Sequence, residues 1–219
     1  MIEEILPDAV IAVEARGDDL QAQLFAEEEI VVRRAVEKRR NEFATARGCA
    51  RRALAQLGYT PTAIATGERG EPLWPAGAVG SITHCEGYRA CAVAQVGEVA
   101  TVGIDAEPNA ALPDGILGDI ARPEELPDLM RLQEEIAEIH WGRLLFSAKE
   151  SIYKAWYPVA KRWLGFEDAI VKLDLREGTF AARLLVAAPA LGQGSLAELS
   201  GRWLVRDGLI LTAIVVPAR

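Results

Sequence analysis

Apolar and polar residues alternate between positions 102 and 107, and this pattern predicts a β-strand with two different faces. Successive side chains of a strand point in opposite directions, so Gly103, Asp105 and Glu107 would share one face. The residues of the opposite face are apolar, and these are Val102, Ile104 and Ala106. Pro108 ends the strand because it lacks an amide hydrogen. The pattern therefore predicts one core face and one face with two carboxylates.

A helical spacing of apolar residues covers positions 141–157. The apolar face of this predicted helix consists of Leu145, Ala148, Ile152, Ala155 and Trp156. Its polar face carries Glu150 and Lys154 one turn apart, with Lys149 beside them. Taken alone, a Glu–Lys pair at this spacing is typical of an ordinary ion pair on a helix surface.

Two further strands are predicted before residue 102, over residues 80–84 and 89–95, with turns between them. These linked strands would place His84 and Asp105 in one sheet. A helix precedes them, and the apolar residues that could form its buried stripe are Val32, Ala35, Val36, Phe43, Ala46, Ala50 and Leu54. Pro, Gly and Asp are frequent from 109 to 128, which indicates an irregular connection.

Strands are predicted again after Gly165, over residues 169–175, 179–186, 203–206 and 209–216. A helix therefore comes before strands in both parts of the chain. This order predicts an α/β (α+β) fold, which we divide into an N-terminal half, 1–106, and a C-terminal half, 107–219.

Composition limits the class of protein. The chain has 219 residues, is 50% hydrophobic and has no apolar run long enough to span a bilayer, so we expect a globular protein without membrane contact. The acidic start, Met1 to Glu4, is unlike a basic signal peptide, and the odd number of cysteines, three, favours free thiols in a reducing compartment. Together these features predict a cytoplasmic protein.

Charge is distributed unevenly along the chain. The net charge of −8 disfavours a nucleic-acid binder. Residues 33–52 nevertheless carry eight Arg and Lys residues against two Glu residues, so this helix is a candidate for binding an anion. The alternative is a solvated basic helix face.

Asp105 and Glu107 would lie about 6.6 Å apart on their strand, where two negative charges repel each other by roughly 2–3 kcal/mol. A bound cation would offset that repulsion. Oxygen ligands without Cys or His favour Mg²⁺ or Mn²⁺ over zinc. The alternative is a solvated edge strand with two exposed acids.

The strand at 102–107 and the segment Phe146–Lys154 together resemble the signature of the 4′-phosphopantetheinyl transferases, in the branch that activates surfactin- and enterobactin-type synthetases. That family has a Gly-hydrophobic-Asp-x-Glu strand and, further on, an aromatic-(Ser/Cys)-x-Lys-Glu-(Ala/Ser)-x-x-Lys helix. Other blocks occur here in the family's order: Lys38–Phe43 with Ala46 and Arg47, Gly70–Pro72, Gly80–Cys85 and Lys161–Asp168.

The resemblance implies two similar α/β halves related by a pseudo-twofold axis, with the active site in the cleft between them. It implies transfer of the phosphopantetheine arm of coenzyme A to a serine of an apo acyl or peptidyl carrier protein, with release of 3′,5′-adenosine diphosphate. The implied cation is Mg²⁺, or Mn²⁺, and its implied ligands are Asp105, Glu107 and Glu150. Asp105, Glu150 and Lys154 would be catalytic, and either Glu150 or a metal-bound water would accept the serine proton.

The resemblance also implies which residues bind coenzyme A. The 3′-phosphate and its surroundings would contact Arg39, Arg47, Thr83 and His84. The diphosphate would contact Lys149, Lys154 and, from the 66–69 loop, Arg69, where Thr66 replaces a lysine common in relatives. Tyr153 and Trp163 are proposed to line the slot for the pantetheine arm, although a buried structural role is the alternative for both aromatic residues.

Two other functions remain compatible with the sequence. One is a different magnesium-dependent enzyme acting on a nucleotide diphosphate, such as a hydrolase, and the other is a coenzyme A binding module without catalysis. Because one chain supplies both halves of the cleft, we expect a monomer.

Overall fold

The computed structural model describes residues 1–191 and 194–218. The helices are α1 (Ala26–Val32), α2 (Glu37–Gln56), α3 (Ile116–Ile120), α4 (Leu126–Glu135) and α5 (Trp141–Ala160). The longer strands are β1 (Ile11–Arg16), β4 (Ala78–Cys85), β5 (Tyr88–Gln95), β6 (Val99–Pro108), β7 (Ala169–Asp174), β8 (Thr179–Leu184), β11 (Glu198–Arg206) and β12 (Leu209–Pro217). The shortest strands are β2 (Ala65–Thr66), β3 (Pro72–Leu73), β9 (Ala190–Leu191) and β10 (Gly194–Ser195). Short 3₁₀ helices cover Ile2–Ile5 and Phe166–Asp168.

Strands β1, β5 and β4 form an antiparallel N-terminal sheet in that order. Helix α2 covers one face of this sheet, where its buried Ala50 and Leu54 join a core with Cys91 and Val93 of β5. The predicted basic helix is interrupted, because α1 ends at Val32 and α2 begins only at Glu37. The assignment of Val36 to the buried stripe was therefore wrong: it precedes α2 and its surface is 73% exposed.

The C-terminal sheet has the antiparallel strand order β6-β12-β11-β8-β7, and helix α5 packs on it. Strand β6 thus pairs with β12, close to the end of the chain, with Asp105 opposite Thr212. The mixture of helices and sheets confirms the α/β (α+β) class. The pseudo-twofold relation and the division at residue 106, which falls inside β6, stay predictions.

The expectation that His84 and Asp105 share one sheet was wrong, since β4 belongs to the N-terminal sheet and β6 to the C-terminal sheet. Two hydroxyl groups of β4 nevertheless join the strands. The backbone N–H groups of Ile104 and Ala106 donate to Ser81 Oγ at 3.1 Å and Thr83 Oγ1 at 2.9 Å. Side-chain acceptors therefore replace backbone pairing at this edge of β6, and the two strands still run side by side.

Gly103 brings helix α5 into direct contact with β6. A Cβ atom at this position would lie 2.0 Å from the carbonyl oxygen of Ser151 and 2.7 Å from the backbone nitrogen of Ala155. Two residues before Gly103 on β6, Thr101 Oγ1 donates a hydrogen bond to the carbonyl oxygen of Ala155 on α5 at 2.8 Å. The glycine of the strand motif is thus required by the approach of the helix that carries Glu150.

We expect Gly103→Ala to lower the free energy of unfolding by about 3 kcal/mol, because backbone atoms of α5 cannot turn away from the added methyl group. Urea denaturation measures this difference. Gly97→Ala is the matched control, since a Cβ at Gly97 meets nothing within 4 Å. Equal stability of the two variants would contradict the direct packing of α5 on β6.

Within the described ranges, none of the helices combines the length and apolar character needed to cross a bilayer.

Candidate active site

Asp105 and Lys154 form an ion pair where β4, β6 and α5 meet. Lys154 Nζ lies 2.7 Å from Asp105 Oδ1 and 3.1 Å from the carbonyl oxygen of Ile104. The hydroxyl of Thr83 donates to the same Asp105 oxygen at 3.3 Å. The Asp105 residue is only 4% exposed, and its second oxygen, Oδ2, is buried without a hydrogen-bond partner in the described residues. A buried carboxylate oxygen of this kind is an available ligand for a cation.

Glu107 and Glu150 flank this pair. Arg143, on the first turn of α5, donates to Glu107 Oε2 at 3.1 Å. Burial, reinforced by the negative charge of Asp105, nevertheless raises the pKa of Glu107 to about 7. Burial also raises the pKa of Glu150, and Asp105 adds to that rise while Lys154 opposes it. The three carboxylates therefore share one electrostatic neighbourhood.

The carboxylates are not arranged as a closed coordination shell. Among residues 1–191 and 194–218, no three Asp, Glu, His or Cys side chains are grouped closely enough to hold a metal ion. Side-chain cations engage two of the three acids instead, with Lys154 at Asp105 and Arg143 at Glu107. Neither of these side chains reaches Asp105 Oδ2, which has no hydrogen-bond partner among the described residues. The ligand atoms that the three acids offer are all oxygens, the type that a hard divalent cation prefers, but the acids are not grouped around a common position.

Lys149 lies away from the cleft. The expectation that it contacts a diphosphate was therefore wrong. Its side chain is 2% exposed, and its ammonium group donates to Glu125 Oε2 at 2.8 Å. It also donates to the carbonyl oxygens of Ile120 and Phe166, each at 2.9 Å. Adjacent residues of a helix point about 100° apart, so the lysine next to Glu150 faces the interior while Glu150 faces the cleft.

Arg39 and Arg47 of α2 face β4 across a cavity of about 220 Å³. This cavity is also lined by Thr83, His84 and Lys154. An Arg39 Nη atom lies 2.6 Å from His84 Nε2, and this ring nitrogen must accept because a guanidinium has only donors. Arg47 is 4% exposed and donates to Thr66 Oγ1 at 2.9 Å. The cavity thus presents several fixed hydrogen-bond donors to an anion.

Both Arg47 and His84 have altered acidities. Burial lowers the pKa of Arg47 to about 10, which leaves its guanidinium charged at neutral pH. Loss of hydration, followed by the positive charge of Arg39, lowers the pKa of His84 to about 4, although the exposed position of its ring lets solvent weaken the effect. His84 is therefore a neutral group at pH 7 beside positive charge.

A second cavity of about 230 Å³ lies between the 69–72 loop and α5. Arg69, Glu150, Tyr153 and Lys154 contribute to its walls, so Lys154 borders both cavities. The rings of Tyr153 and Trp163 are 5.1 Å apart, with the Trp163 residue 66% exposed. This second cavity therefore has aromatic surface from Tyr153 in its wall, and it shares Lys154 with the cavity beside Arg39 and Arg47. A larger cavity, about 640 Å³, lies over the C-terminal sheet and contains none of these residues.

Two contributors to the site were missed in the sequence, Ser81 and Arg143, as was one contact outside it, that of Glu125 with Lys149. Ser81 holds β6 beside β4, and its hydroxyl lies in a block already matched to the family. Arg143 partners Glu107, and its place on the polar face of the predicted helix was the available signal. Glu125 partners Lys149, and no local pattern indicates this contact between distant segments.

These features define an enzyme-like cleft in which basic side chains and clustered carboxylates face one another. Family models match most of the chain: residues 26–94 match the 4′-phosphopantetheinyl transferase N-terminal domain, and residues 101–198 match the 4′-phosphopantetheinyl transferase superfamily. The chain belongs to this superfamily, as its motifs predicted.

Curated relatives agree with the family models. The 4′-phosphopantetheinyl transferase Svp of Streptomyces mobaraensis is 48% identical over 221 residues, which cover 100% of this chain and 90% of that protein. PptT of Mycobacterium tuberculosis is 50% identical over 224 residues, 99% of this chain and 98% of that protein. Npt of Nocardia iowensis is 47% identical over 222 residues, 98% and 99% of the two chains. The protein is an enzyme that transfers phosphopantetheine to carrier proteins.

Proposed function

We propose that this enzyme uses coenzyme A and a divalent cation, Mg²⁺ or Mn²⁺, and releases 3′,5′-adenosine diphosphate. The observation that carries the proposal is the position of Lys154, which lines two neighbouring cavities and forms an ion pair with Asp105. Glu107 and Glu150 lie within the electrostatic influence of the same pair. Asp105, Glu107 and Glu150 would hold the cation. When bound, the cation would offset negative charge on the diphosphate during transfer.

Coenzyme A would lie along both cavities. Arg39, Arg47, Thr83 and His84 would bind its 3′-phosphate end, because all four line the first cavity and the two guanidinium groups supply charged donors. Lys154 and Arg69 would contact the diphosphate at the junction. The pantetheine arm would follow the slot beside Tyr153 and Trp163, where aromatic surface replaces charge. Holding the donor in this way supplies the orientation on which transfer depends.

Glu150 is the proposed general base for the carrier serine. A serine hydroxyl is a weak nucleophile and needs a proton acceptor within hydrogen-bond reach. Burial raises the pKa of Glu150 in the absence of a cation, and a raised pKa favours proton acceptance. If Glu150 holds the cation, its carboxylate becomes a poorer base, and a water on the cation is the alternative acceptor. The serine proton would move to a Glu150 oxygen as the serine oxygen bonds to the phosphorus that carries the pantetheine arm. The bond between this phosphorus and the bridging oxygen of the diphosphate would break, and 3′,5′-adenosine diphosphate would leave with the bridging oxygen.

Transfer to an apo carrier protein, followed by intact mass spectrometry, tests this proposal. With coenzyme A and Mg²⁺, the carrier should gain one phosphopantetheine arm, and excess EDTA should prevent the gain. Free phosphopantetheine beside an unmodified carrier would support a hydrolase instead. Undiminished transfer in EDTA would remove the cation from the proposal.

We further propose a cytoplasmic monomer that serves acyl or peptidyl carrier proteins. The three cysteines, Cys49, Cys85 and Cys91, are free thiols, which suits a reducing compartment. The walls of both cavities come from one chain, since residues of α2, β4 and α5 line them. Light scattering after size-exclusion chromatography would measure the mass.

The proposed phosphate contact makes His84 a pH-sensitive reporter. A phosphate near the ring adds negative charge, so 3′,5′-adenosine diphosphate should raise the pKa of His84 by at least about one unit. A pKa raised by a ligand means that binding strengthens as the pH falls towards that pKa. NMR of the imidazole protons between pH 4 and pH 8 measures the change.

His140 provides the internal control for this titration, because it is the other histidine and does not line the cavity. His84→Asn should remove the part of the pH dependence of nucleotide binding that comes from the imidazole, and His140→Asn should leave this part unchanged. An identical His84 titration with and without nucleotide would place the phosphate elsewhere.

A further inference from the structure

The residues between β2 and β3 form a tight loop, 67–71, beside both cavities. The backbone N–H of Gly67 donates to the carbonyl oxygen of Glu71 at 2.7 Å, and that of Gly70 donates to the carbonyl oxygen of Gly67 at 3.1 Å. Gly70 and the following Pro72 line both cavities, whereas Arg69 and Glu71 line the second one. The position of the 67–71 loop therefore shapes the space in which coenzyme A is proposed to lie.

The carboxylate of Glu71 joins this loop to the end of helix α5. Its Oε2 accepts the backbone N–H of Arg69 at 3.0 Å, and its Oε1 accepts from Lys161 Nζ at 3.4 Å. The Glu71 side chain is 13% exposed. A Cβ atom at Gly67 would lie 2.3 Å from the carboxylate, so the glycine leaves room for it. The carboxylate thus holds the loop together and ties it to Lys161.

Lys161 is an unusual residue for its place in the backbone. It ends α5 with a φ of 49°, in the left-handed region where glycine is the usual residue at a helix end. A lysine there has a steric cost that glycine avoids. Its ammonium lies 5.3 Å from the ring of Tyr157, which lines the second cavity, and also reaches Glu71. The helix end does not require this side chain, whereas the loop uses it.

A second contact joins the same two segments. The Arg69 guanidinium lies 6.0 Å from the centre of the Trp163 ring, two residues after Lys161. That ring lies 5.1 Å from the ring of Tyr153 on α5. The 67–71 loop and the segment after α5 therefore meet beside the second cavity, although Glu71 and Lys161 are 90 residues apart in the chain.

We propose that Lys161 is a positioning residue, which holds Glu71, and with it the 67–71 loop, against the end of α5 so that the second cavity fits the pantetheine arm. This inference rests on the proposed function, which assigns that cavity to the arm. Glu71 also places negative charge in the wall of a cavity whose ligand has a diphosphate, and the Lys161 ammonium offsets that charge. Loss of the ammonium would therefore loosen the wall and repel the ligand.

Two variants of Lys161 separate this role from a role in the helix end. Lys161→Met removes the ammonium, and we expect the KM for coenzyme A to rise about fivefold with kcat within about twofold, as for a partly exposed ion pair. Lys161→Gly should raise the KM equally. Because glycine suits the left-handed backbone, Lys161→Gly should not lower the midpoint of urea unfolding. A residue needed only at the helix end would leave the KM unchanged in both variants.

A shorter ligand shows whether the effect is at the arm cavity. 3′,5′-Adenosine diphosphate lacks the pantetheine arm, so its dissociation constant in Lys161→Met should stay within about twofold of that of the unchanged enzyme. Isothermal titration calorimetry measures this constant. An equal loss of affinity for coenzyme A and for 3′,5′-adenosine diphosphate would overturn the proposal, because the defect would not be confined to the arm.

A double variant tests whether Lys161 acts through Glu71. With Glu71→Gln already present, Lys161→Met should change the KM for coenzyme A by less than about twofold, because the carboxylate that it offsets is gone. A fivefold rise in both backgrounds would mean direct contact with the ligand, and an unchanged KM in Lys161→Met would also overturn the positioning role. In both cases transfer by the unchanged enzyme would still support the proposed function. Failure of the unchanged enzyme to transfer the arm of coenzyme A would overturn both.

Discussion

Asp105→Asn is expected to slow phosphopantetheine transfer at least about a thousandfold. The substitution keeps the size of the side chain and removes the negative charge from the centre of the acidic cluster. Lys154 then loses its ion-pair partner, and the proposed cation loses the ligand that carries a partnerless buried oxygen. Transfer to an apo carrier at saturating coenzyme A and Mg²⁺, followed by intact mass, measures the loss.

Nucleotide binding separates this effect from misfolding. The donors proposed for the 3′-phosphate lie on α2 and β4, so Asp105→Asn should still bind 3′,5′-adenosine diphosphate. Asp207→Asn is a matched control, because Asp207 pairs with Arg16 in an exposed ion pair and lines neither cavity. Transfer within about tenfold of the unchanged enzyme would remove Asp105 from the catalytic centre.

Lys149→Met is expected to lower the free energy of unfolding by about 4 kcal/mol, because it leaves the buried Glu125 carboxylate without its positive partner. Lys149 is also the common partner of the Ile120 and Phe166 carbonyls, so its loss leaves these acceptors uncompensated as well. Urea denaturation measures the change. The affinity of the folded variant for coenzyme A should be unchanged, since Lys149 does not reach the cleft.

A double variant tests whether buried charge is the cause. Glu125→Gln removes the charge that Lys149→Met leaves unpaired, and the amide of the new side chain keeps an oxygen that can accept from the backbone N–H of Val171 or of Arg122. The double variant should therefore be more stable than Lys149→Met alone. A stable Lys149→Met protein with weakened coenzyme A binding would instead support the diphosphate contact that the motif implied.

The positions and the buried faces of helix α5 and strand β6 could largely be predicted from the sequence, because both follow from the local periodicity of apolar residues. The helix predicted over 141–157 is α5, Trp141–Ala160, and its predicted apolar face is buried. On β6, the face opposite Asp105 does join a buried core. Local spacing could not show that β6 is buried on both sides, however, so the alternative of a solvated strand with exposed acids was removed only by the structure.

The predictions that failed depend on contacts between distant segments or, for Val36, on a break in a predicted helix. The pairing of β6 with β12 joins residues about a hundred positions apart, and the sequence near His84 contains no sign of it. The contact of Lys149 with Glu125 depends on how the segment before α4 folds back on α5. The break between α1 and α2 likewise exposes Val36, where an uninterrupted periodicity predicted burial.

The sequence by itself determined the family, the α/β class, the strand that carries Asp105 and Glu107, and the helix that carries Glu150 and Lys154. These features follow from residue spacing, which fixes the side of a strand or helix on which each residue lies. Only the tertiary structure decided that Lys154 meets Asp105, that Lys149 is buried, and that hydroxyl groups hold β4 beside β6. Each of these contacts joins elements far apart in the chain, and their relative positions depend on packing across the whole core.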